Sequence, residues 1–383
     1  MAKEARDSEG RNGGKRAHRR RPATSEADPL IASARMPAGD EPLTAAALSN
    51  RETVAVVIVS YDDPQATAQA VASVHAQSVA PAEILVVDNH PDHPAAALAA
   101  IHDHARVLTP SENLGFAGGA ALGARSTTSA WILFLNPDAT AAPDCLAQLL
   151  AAGDADTGLI GAQILLPDGR INAGDNPVHV TGIAWAGGYL APREQGPPRS
   201  VASVSGAGML VRRTALDAVG GISERYFLYH EDVDLALRLR LGGWDVRFQP
   251  AAIVTHDYSF AKGTRKWFYL ERNRAWTVLT CYATRTLVLL APLLLATEVS
   301  VAVKARREGW WPEKREAWHA VWSSRRETRT HRREVQALRQ VGDHALIVLM
   351  RATIETDLID DQHSAVISRA LRTYRRMLLA LIR

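Results

Sequence analysis

From residue 53 the chain alternates short β-branched runs with longer helical stretches. VAVVIVS (54–60), ILVVD (84–88), ARVL (105–108) and WILFL (131–135) have the composition and length of strands, and the segments between them predict helices. PQATAQAVASVHAQS (64–78) opens with proline at a first helical position and places Ala68, Val71, Ala72 and His75 on one face. Such alternation implies a mostly parallel sheet covered by helices on both faces, with ligands at the carboxyl ends of its strands. After residue 150 the pattern weakens into a Gly/Pro-rich stretch that includes GGYLAPREQGPPRS (187–200), read as a surface loop shaping a pocket, and resumes near GMLVRR (208–213).

Charge divides the 383 residues unevenly. Residues 1–25 carry a net charge of +5, residues 26–260 of −13, and residues 261–383 of +11. An acidic body disfavours nucleic acid as a partner and suits a divalent cation, whereas a basic tail suits phosphates or an anionic membrane face. Residues 1–52 lack periodicity and include RAHRRRP (16–22), which predicts a disordered basic arm without the apolar stretch of a secretory signal. Cys145 and Cys281 stand far apart with no ligand spacing, so neither a disulfide framework nor a structural zinc site is expected, and a cytoplasmic compartment follows.

The early strands end in groups suited to polar recognition: Ser60 to Asp63, Asp88 with Asn89, and Asn136 to Asp138. Each alone is ordinary turn chemistry. Together on one sheet edge they predict a site. A further acidic run, HEDVDLALRLRL (230–241), reads as a helix with Val233, Leu237 and Leu241 on one face, ending at Gly242-Gly243. In it Asp234 is spaced to pair with Arg238, which leaves Glu231 and Asp232 for a pocket. The glycines of SENLGFAGG (111–119) lack dinucleotide-fingerprint spacing and are better suited to close packing of a helix on the sheet, or to close approach of backbone to a ligand.

The ordered set VVIVSYDDP, VVDN, NLGFAGG, FLNPD, SGAGMLVRR and HEDVDL resembles the family 2 inverting glycosyltransferases with the GT-A fold, and within them the rhamnosyltransferase-like members, over roughly residues 53–280. The resemblance implies a GT-A domain over 53–283, and a metal-dependent transfer of one sugar from a nucleotide diphosphate donor to a hydroxyl of a glycan or lipid-linked acceptor. It implies Asp232 as the base with Glu231 beside it. Tyr61 and Asp88 would lie at the nucleotide base, Asn113, Phe116 and Gly119 along the donor pocket, and Asn136 and Asp138 at the diphosphate. Arg272 would neutralise the leaving group. Mn2+ or Mg2+ would be held by Asp138 and His256. Family members usually show Asp-x-Asp where this chain has Asn136-Pro137-Asp138, so one anionic ligand is missing and His256 is the candidate supplement. The donor implied first is dTDP-L-rhamnose. UDP-galactofuranose and a non-catalytic nucleotide-sugar-binding protein on the same fold are the alternatives.

Residues 284–383 are expected to be helical, basic and membrane-associated. The apolar run 286–303 is interrupted by Pro292 and Glu298 and flanked by basic residues at both ends, which disfavours a simple span and leaves a re-entrant segment, a monotopic one or a core helix. Trp310, Trp311, Trp318, Trp322 and the arginines of 325–333 match an interfacial belt, so the expectation is peripheral or monotopic attachment to the inner face of the cell membrane.

Overall fold

The computed structural model describes residues 53–382 apart from 91, 93–97, 99–100, 257–262 and 355–364. The expected basic arm (1–52) lies outside the described residues. The strands are β1 (Val54–Ser60), β2 (Glu83–Asp88), β3 (Arg106–Leu108), β4 (Trp131–Leu135), β5 (Ala139–Ala141), β6 (Thr157–Leu165), β7 (Ile171–Ala173), β8 (Arg199–Ser200), β9 (Gly208–Arg212) and β10 (Asp245–His256). The helices are α1 (Pro64–His75), α2 (Gly115–Arg125), α3 (Cys145–Ala151), α4 (Arg213–Ala218), α5 (Glu231–Leu241), α6 (Arg265–Cys281), α7 (Thr284–Arg307), α8 (Trp311–Ser323), α9 (Arg325–Ala337), α10 (His344–Ile347) and α11 (Ala365–Leu381).

One mixed sheet runs in the order β3-β2-β1-β4-β9-β6-β10-β5. β3, β2, β1 and β4 are mutually parallel, as are β6 and β10, while β9 enters antiparallel between β4 and β6. Every residue of β1 is buried, because alternate side chains feed opposite faces: Val54, Val56 and Ile58 enter one core with α1 and α3, and Ala55, Val57 and Val59 enter a second with α2, α4 and α5. α2 lies very close to β1. A Cβ added at Gly119 would stand 2.6 Å from Val59 Cγ1, and one at Gly123 would stand 2.3 Å from Val57 Cγ1, so only glycine lets the helix approach this far.

α1 differs from expectation in face. Its buried residues are Thr67, Ala70, Val71 and Val74, whereas Ala72 and His75 are exposed. Alanine discriminates weakly between faces, and the bond between Thr67 Oγ1 and Ser60 Oγ (2.8 Å) fixes the rotation instead.

The helices after β10 share a third core with α5. Val233, Leu237 and Leu241 of α5 meet Val278, Cys281, Leu290, Val335, Ile347 and Leu378. α5 therefore carries apolar residues on both sides, with Leu235, Ala236 and Leu239 turned to the second core. Glu298, the acid inside the apolar α7, is explained here. Its carboxylate pairs with Arg274 of α6 and with Lys314 of α8 (2.8 Å) and accepts from Trp318 Nε1 (2.8 Å), while Glu271 pairs with Arg274 (2.9 Å) and with Lys314. Burial alone would raise the Glu298 pKa, but the two cations bring it down to about 2. Lys314, with a side chain 1% exposed, holds both carboxylates. Replacing it by Met leaves two carboxylates sharing the single cation of Arg274, and we expect a loss of about 3–5 kcal/mol in guanidinium denaturation; a loss below about 1 kcal/mol would mean that solvent already screens the network.

Candidate active site

Strand register gathers the polar ends. Ser60 lies beside Asp88, β4 ends next to the start of β9 with Leu135 opposite Gly208, and His256 at the end of β10 pairs with Ala139. Antiparallel β5 thus returns the chain so that Asp138 meets His256, with Nε2 to Oδ1 at 2.8 Å although the residues are 118 apart in sequence. His256 is buried, and the Asp138 side chain is 38% exposed. Asn136 N–H donates to Ala207 O (3.1 Å), tying this turn to the SGAG segment.

On the other side of β1, Asp88 is buried and Tyr61 exposed, with the Tyr61 ring 5.1 Å from that of His90. Asn89 does more than the sequence suggested. Its Nδ2 donates to Asn113 Oδ1 (3.0 Å) and Gly115 O (2.9 Å), and its Oδ1 accepts from Leu114 N–H (2.9 Å), so it fixes the NLGF turn at the start of α2. Gly115 has φ +68°, and a Cβ there would stand 2.3 Å from Phe227 O. Ala117 N–H then donates to that same carbonyl (3.1 Å), which joins the turn to the loop before α5.

That loop is strained. Phe227, Tyr229 and His230 all have φ between +63° and +74°, each a sparsely populated conformation that costs on the order of 1–3 kcal/mol and persists only where surroundings enforce it. Asn273 of α6 enforces it, with Nδ2 within hydrogen-bond distance of the carbonyls of Tyr226 (3.0 Å), Leu228 (2.9 Å) and Tyr229 (2.6 Å). His230 is clamped between Gly182 O (3.2 Å) and Thr277 Oγ1 (3.2 Å). Asp234 pairs with Arg238 at 2.7 Å in full burial and accepts from Tyr226 O–H (3.0 Å), as its spacing predicted.

The loop delivers two carboxyls at the first turn of α5. Asp232 Oδ2 accepts from Gly206 N–H (3.0 Å) and Oδ1 from Val233 N–H (2.8 Å); burial raises its pKa and these N–H groups oppose the rise. A Cβ at Gly206 would lie 3.6 Å from both Asp232 and Phe116 Cε1, so Phe116 and Asp232 flank one spot on the SGAG segment. Glu231 is also buried. Its Oε2 has no hydrogen-bond partner among the described residues, and burial with the neighbouring Asp232 charge keeps the carboxyl protonated well above the usual range.

Two residues sit differently from expectation. Gly119 is buried against Val59 and serves packing, since its missing side chain is what admits the sheet. The Arg272 guanidinium is engaged by protein, donating to Tyr226 O (2.9 Å) and Asn273 Oδ1 (2.9 Å) and lying 4.3 Å over the Trp276 ring, and its burial lowers its pKa to about 10. It braces the acid loop. Asn273, which does comparable work, carries no charge or motif spacing that would have marked it, whereas Asn89 was marked only as part of a polar strand end.

The sequence pattern of glycosyl transferase family 2 matches residues 55–220. The chain is 30% identical over 240 residues to the N-acetylglucosaminyl-diphospho-decaprenol L-rhamnosyltransferase of Mycobacterium tuberculosis (strain ATCC 25618 / H37Rv), covering 55% of this chain and 78% of that protein. It is 29% identical over 160 residues to the pre-mycofactocin glycosyltransferase of Mycobacterium tuberculosis (strain CDC 1551 / Oshkosh), covering 41% and 31%. Its fold is similar to that in the crystal structure of GalNAc-T7 with UDP, GalNAc and Mn2+, with a TM-score of 0.51 at 15% identity over 62% of this chain and 49% of that one. The chain belongs to glycosyltransferase family 2. It is an inverting nucleotide-sugar glycosyltransferase with the GT-A fold.

The buried His230 has a pKa lowered to about 4 by desolvation, with Arg274 adding to the effect. Unfolded, the imidazole takes up its proton near pH 6.5, so the unfolded chain binds more protons between about pH 6.5 and 4 and stability falls as pH drops through that window. We expect a contribution on the order of 3 kcal/mol there, seen as acid-limb destabilisation in denaturation curves that His230→Gln flattens; an unaltered limb would locate the acid sensitivity elsewhere.

Proposed function

We propose that the enzyme transfers L-rhamnose from dTDP-L-rhamnose to a hydroxyl of a lipid-linked glycan acceptor, with Asp232 as the base. The observation that carries this is the setting of Asp232: two backbone N–H groups fix the carboxylate, burial raises its proton affinity, and each oxygen keeps lone-pair capacity for an incoming hydroxyl. Asp232 takes the hydroxyl proton as that oxygen attacks the anomeric carbon from the side opposite the departing diphosphate, which inverts the centre. Glu231 beside it is pushed towards its protonated form by burial and by the Asp232 charge, and in that form it can donate a hydrogen bond to the acceptor. Tyr61 and Asp88 flank the nucleotide base, Asn113 and Phe116 the sugar diphosphate. The rhamnosyl and lipid-linked assignments lean on the mycobacterial relative's name, and UDP-galactofuranose remains the alternative donor.

Asp138 and His256 fit a hard divalent cation, Mn2+ or Mg2+, as one carboxylate and one imidazole already in contact. Among the described residues no group of three or more His, Cys, Asp or Glu side chains is arranged for a metal, so the remaining ligands would come from the donor diphosphate and water. When bound, the cation supplies charge stabilisation to the leaving diphosphate.

Peripheral attachment to an anionic membrane face is supported by α7. Among the described residues it is one helix long and apolar enough to cross a bilayer, yet its Glu298 face is bound to α6 and α8 while Val288, Leu295, Val299 and Val303 are exposed at 67%, 67%, 57% and 41%. A helix with one face on protein and an apolar stripe outward suits lying in an interface.

Asp232→Asn should lower turnover by about 10²- to 10⁴-fold with donor affinity retained, and Glu231→Gln less; near wild-type turnover in Asp232→Asn would remove the base assignment. Asp138→Ala and His256→Ala should each raise the Mn2+ concentration giving half-maximal transfer, and a chelator should abolish it. In flotation with vesicles containing phosphatidylglycerol the intact chain should rise with the lipid, whereas Leu295→Glu with Val299→Glu should leave it behind; unchanged flotation would exclude α7 as the contact.

A further inference from the structure

A cavity of about 630 Å³ opens among the C-terminal helices, walled by α6, α7, α8 and the start of α9. Its volume falls within the roughly 300–1,000 Å³ range of small-molecule sites. Its walls are apolar: Val278, Leu279, Leu287, Leu294, Val321 and Trp318. On its deep side the charges are already matched, Glu271 and Glu298 against Arg274 and Lys314. Its exposed members mark the opening, and there Arg325 and Arg329 stand with the exposed Trp322, while the half-buried Arg332 is anchored to the carbonyls of Leu279 and Tyr282. The lining therefore has an apolar interior, a self-neutralised floor and, at the opening, the two exposed guanidiniums of Arg325 and Arg329, which no carboxylate of the lining offsets. That is the complement of a molecule with one hydrocarbon chain and a phosphate at its end.

The cavity also shares a helix with the reaction site. Arg272, Asn273 and Thr277 of α6 hold the acid loop, whereas Glu271, Arg274, Ala275 and Val278 line the cavity. The two lie on opposite sides of one helix, about 10–12 Å across with its side chains.

We propose that this cavity receives the tail of a single-chain prenyl phosphate, with Arg325 and Arg329 gathering the phosphate, and so holds the lipid end of the acceptor. The proposal rests on the lipid-linked acceptor reading. One cavity walled by four helices suits one chain rather than the paired chains of a bilayer phospholipid.

Trp318 and Trp322 line the cavity, so their fluorescence reports occupancy in the full-length protein. Titration with farnesyl phosphate below its aggregation concentration should give a saturable change, farnesol should bind at least tenfold more weakly, and inorganic phosphate should give none. Ala275→Phe, which fills the interior, should weaken farnesyl phosphate at least tenfold. The exposed pair Arg325→Glu with Arg329→Glu should abolish the preference over farnesol. Neither variant should alter binding of the nucleotide donor or its slow hydrolysis. No saturable change, equal affinity in Ala275→Phe, or dihexanoylphosphatidylglycerol binding as tightly as farnesyl phosphate would each overturn the proposal, the last by marking the surface as a bilayer contact. Donor hydrolysis that persists while farnesyl phosphate fails to bind would discard the cavity alone. Farnesyl phosphate binding without hydrolysis of dTDP-L-rhamnose would instead discard that donor reading.

Discussion

A single side-chain amide holds the geometry on which the site depends. Asn273 Nδ2 lies within 3.0 Å of three carbonyls in the turn between Tyr226 and Tyr229, and that turn contains two of the three left-handed residues leading into α5. Without such a partner the carbonyls would face each other and the strained dihedrals would relax. Arg272 adds a cation on the same carbonyl of Tyr226, and Gly115 leaves room for Phe227 O to approach α2. The direction in which Asp232 and Glu231 enter the cleft is therefore set from three sides: by α6, by the NLGF turn and by the Gly206 N–H.

The sheet solves a different problem, that of bringing distant residues to one edge. Parallel β1, β2 and β4 align their carboxyl ends because parallel neighbours in register finish together. β9 and β5 run the other way and supply beginnings where the others supply ends, and so SGAG reaches Asp232 and Asp138 reaches His256.

Much of this was written in local pattern. The boundaries of β1 and β4, the pairing of Asp234 with Arg238 and the Gly-Gly end of α5 follow from composition and spacing, since each is decided within a few residues of itself. The Asp138–His256 contact was reachable only through family resemblance, because no local rule joins residues 118 apart. The face of α1 was misjudged where alanines carry little signal. The partners of Glu298 were invisible because they lie on two other helices, and an acid in an apolar run reads as a defect until Arg274 and Lys314 stand beside it. Asn273, and the bracing role of Asn89, escaped for a related reason: a neutral amide in a loop or helix has too many ordinary uses to stand out.

The dependence of the acid loop on α6 has a consequence for how the enzyme is made. The parallel strands β1, β2 and β4 come from residues before 140, yet the loop preceding Glu231 lacks its brace until residues 272–277 exist. Domains form from the amino terminus as the chain is synthesised. A nascent chain thus acquires its parallel strand ends before the carboxyls of Glu231 and Asp232 are held in place, and that arrangement waits until α6 has left the ribosome and docked.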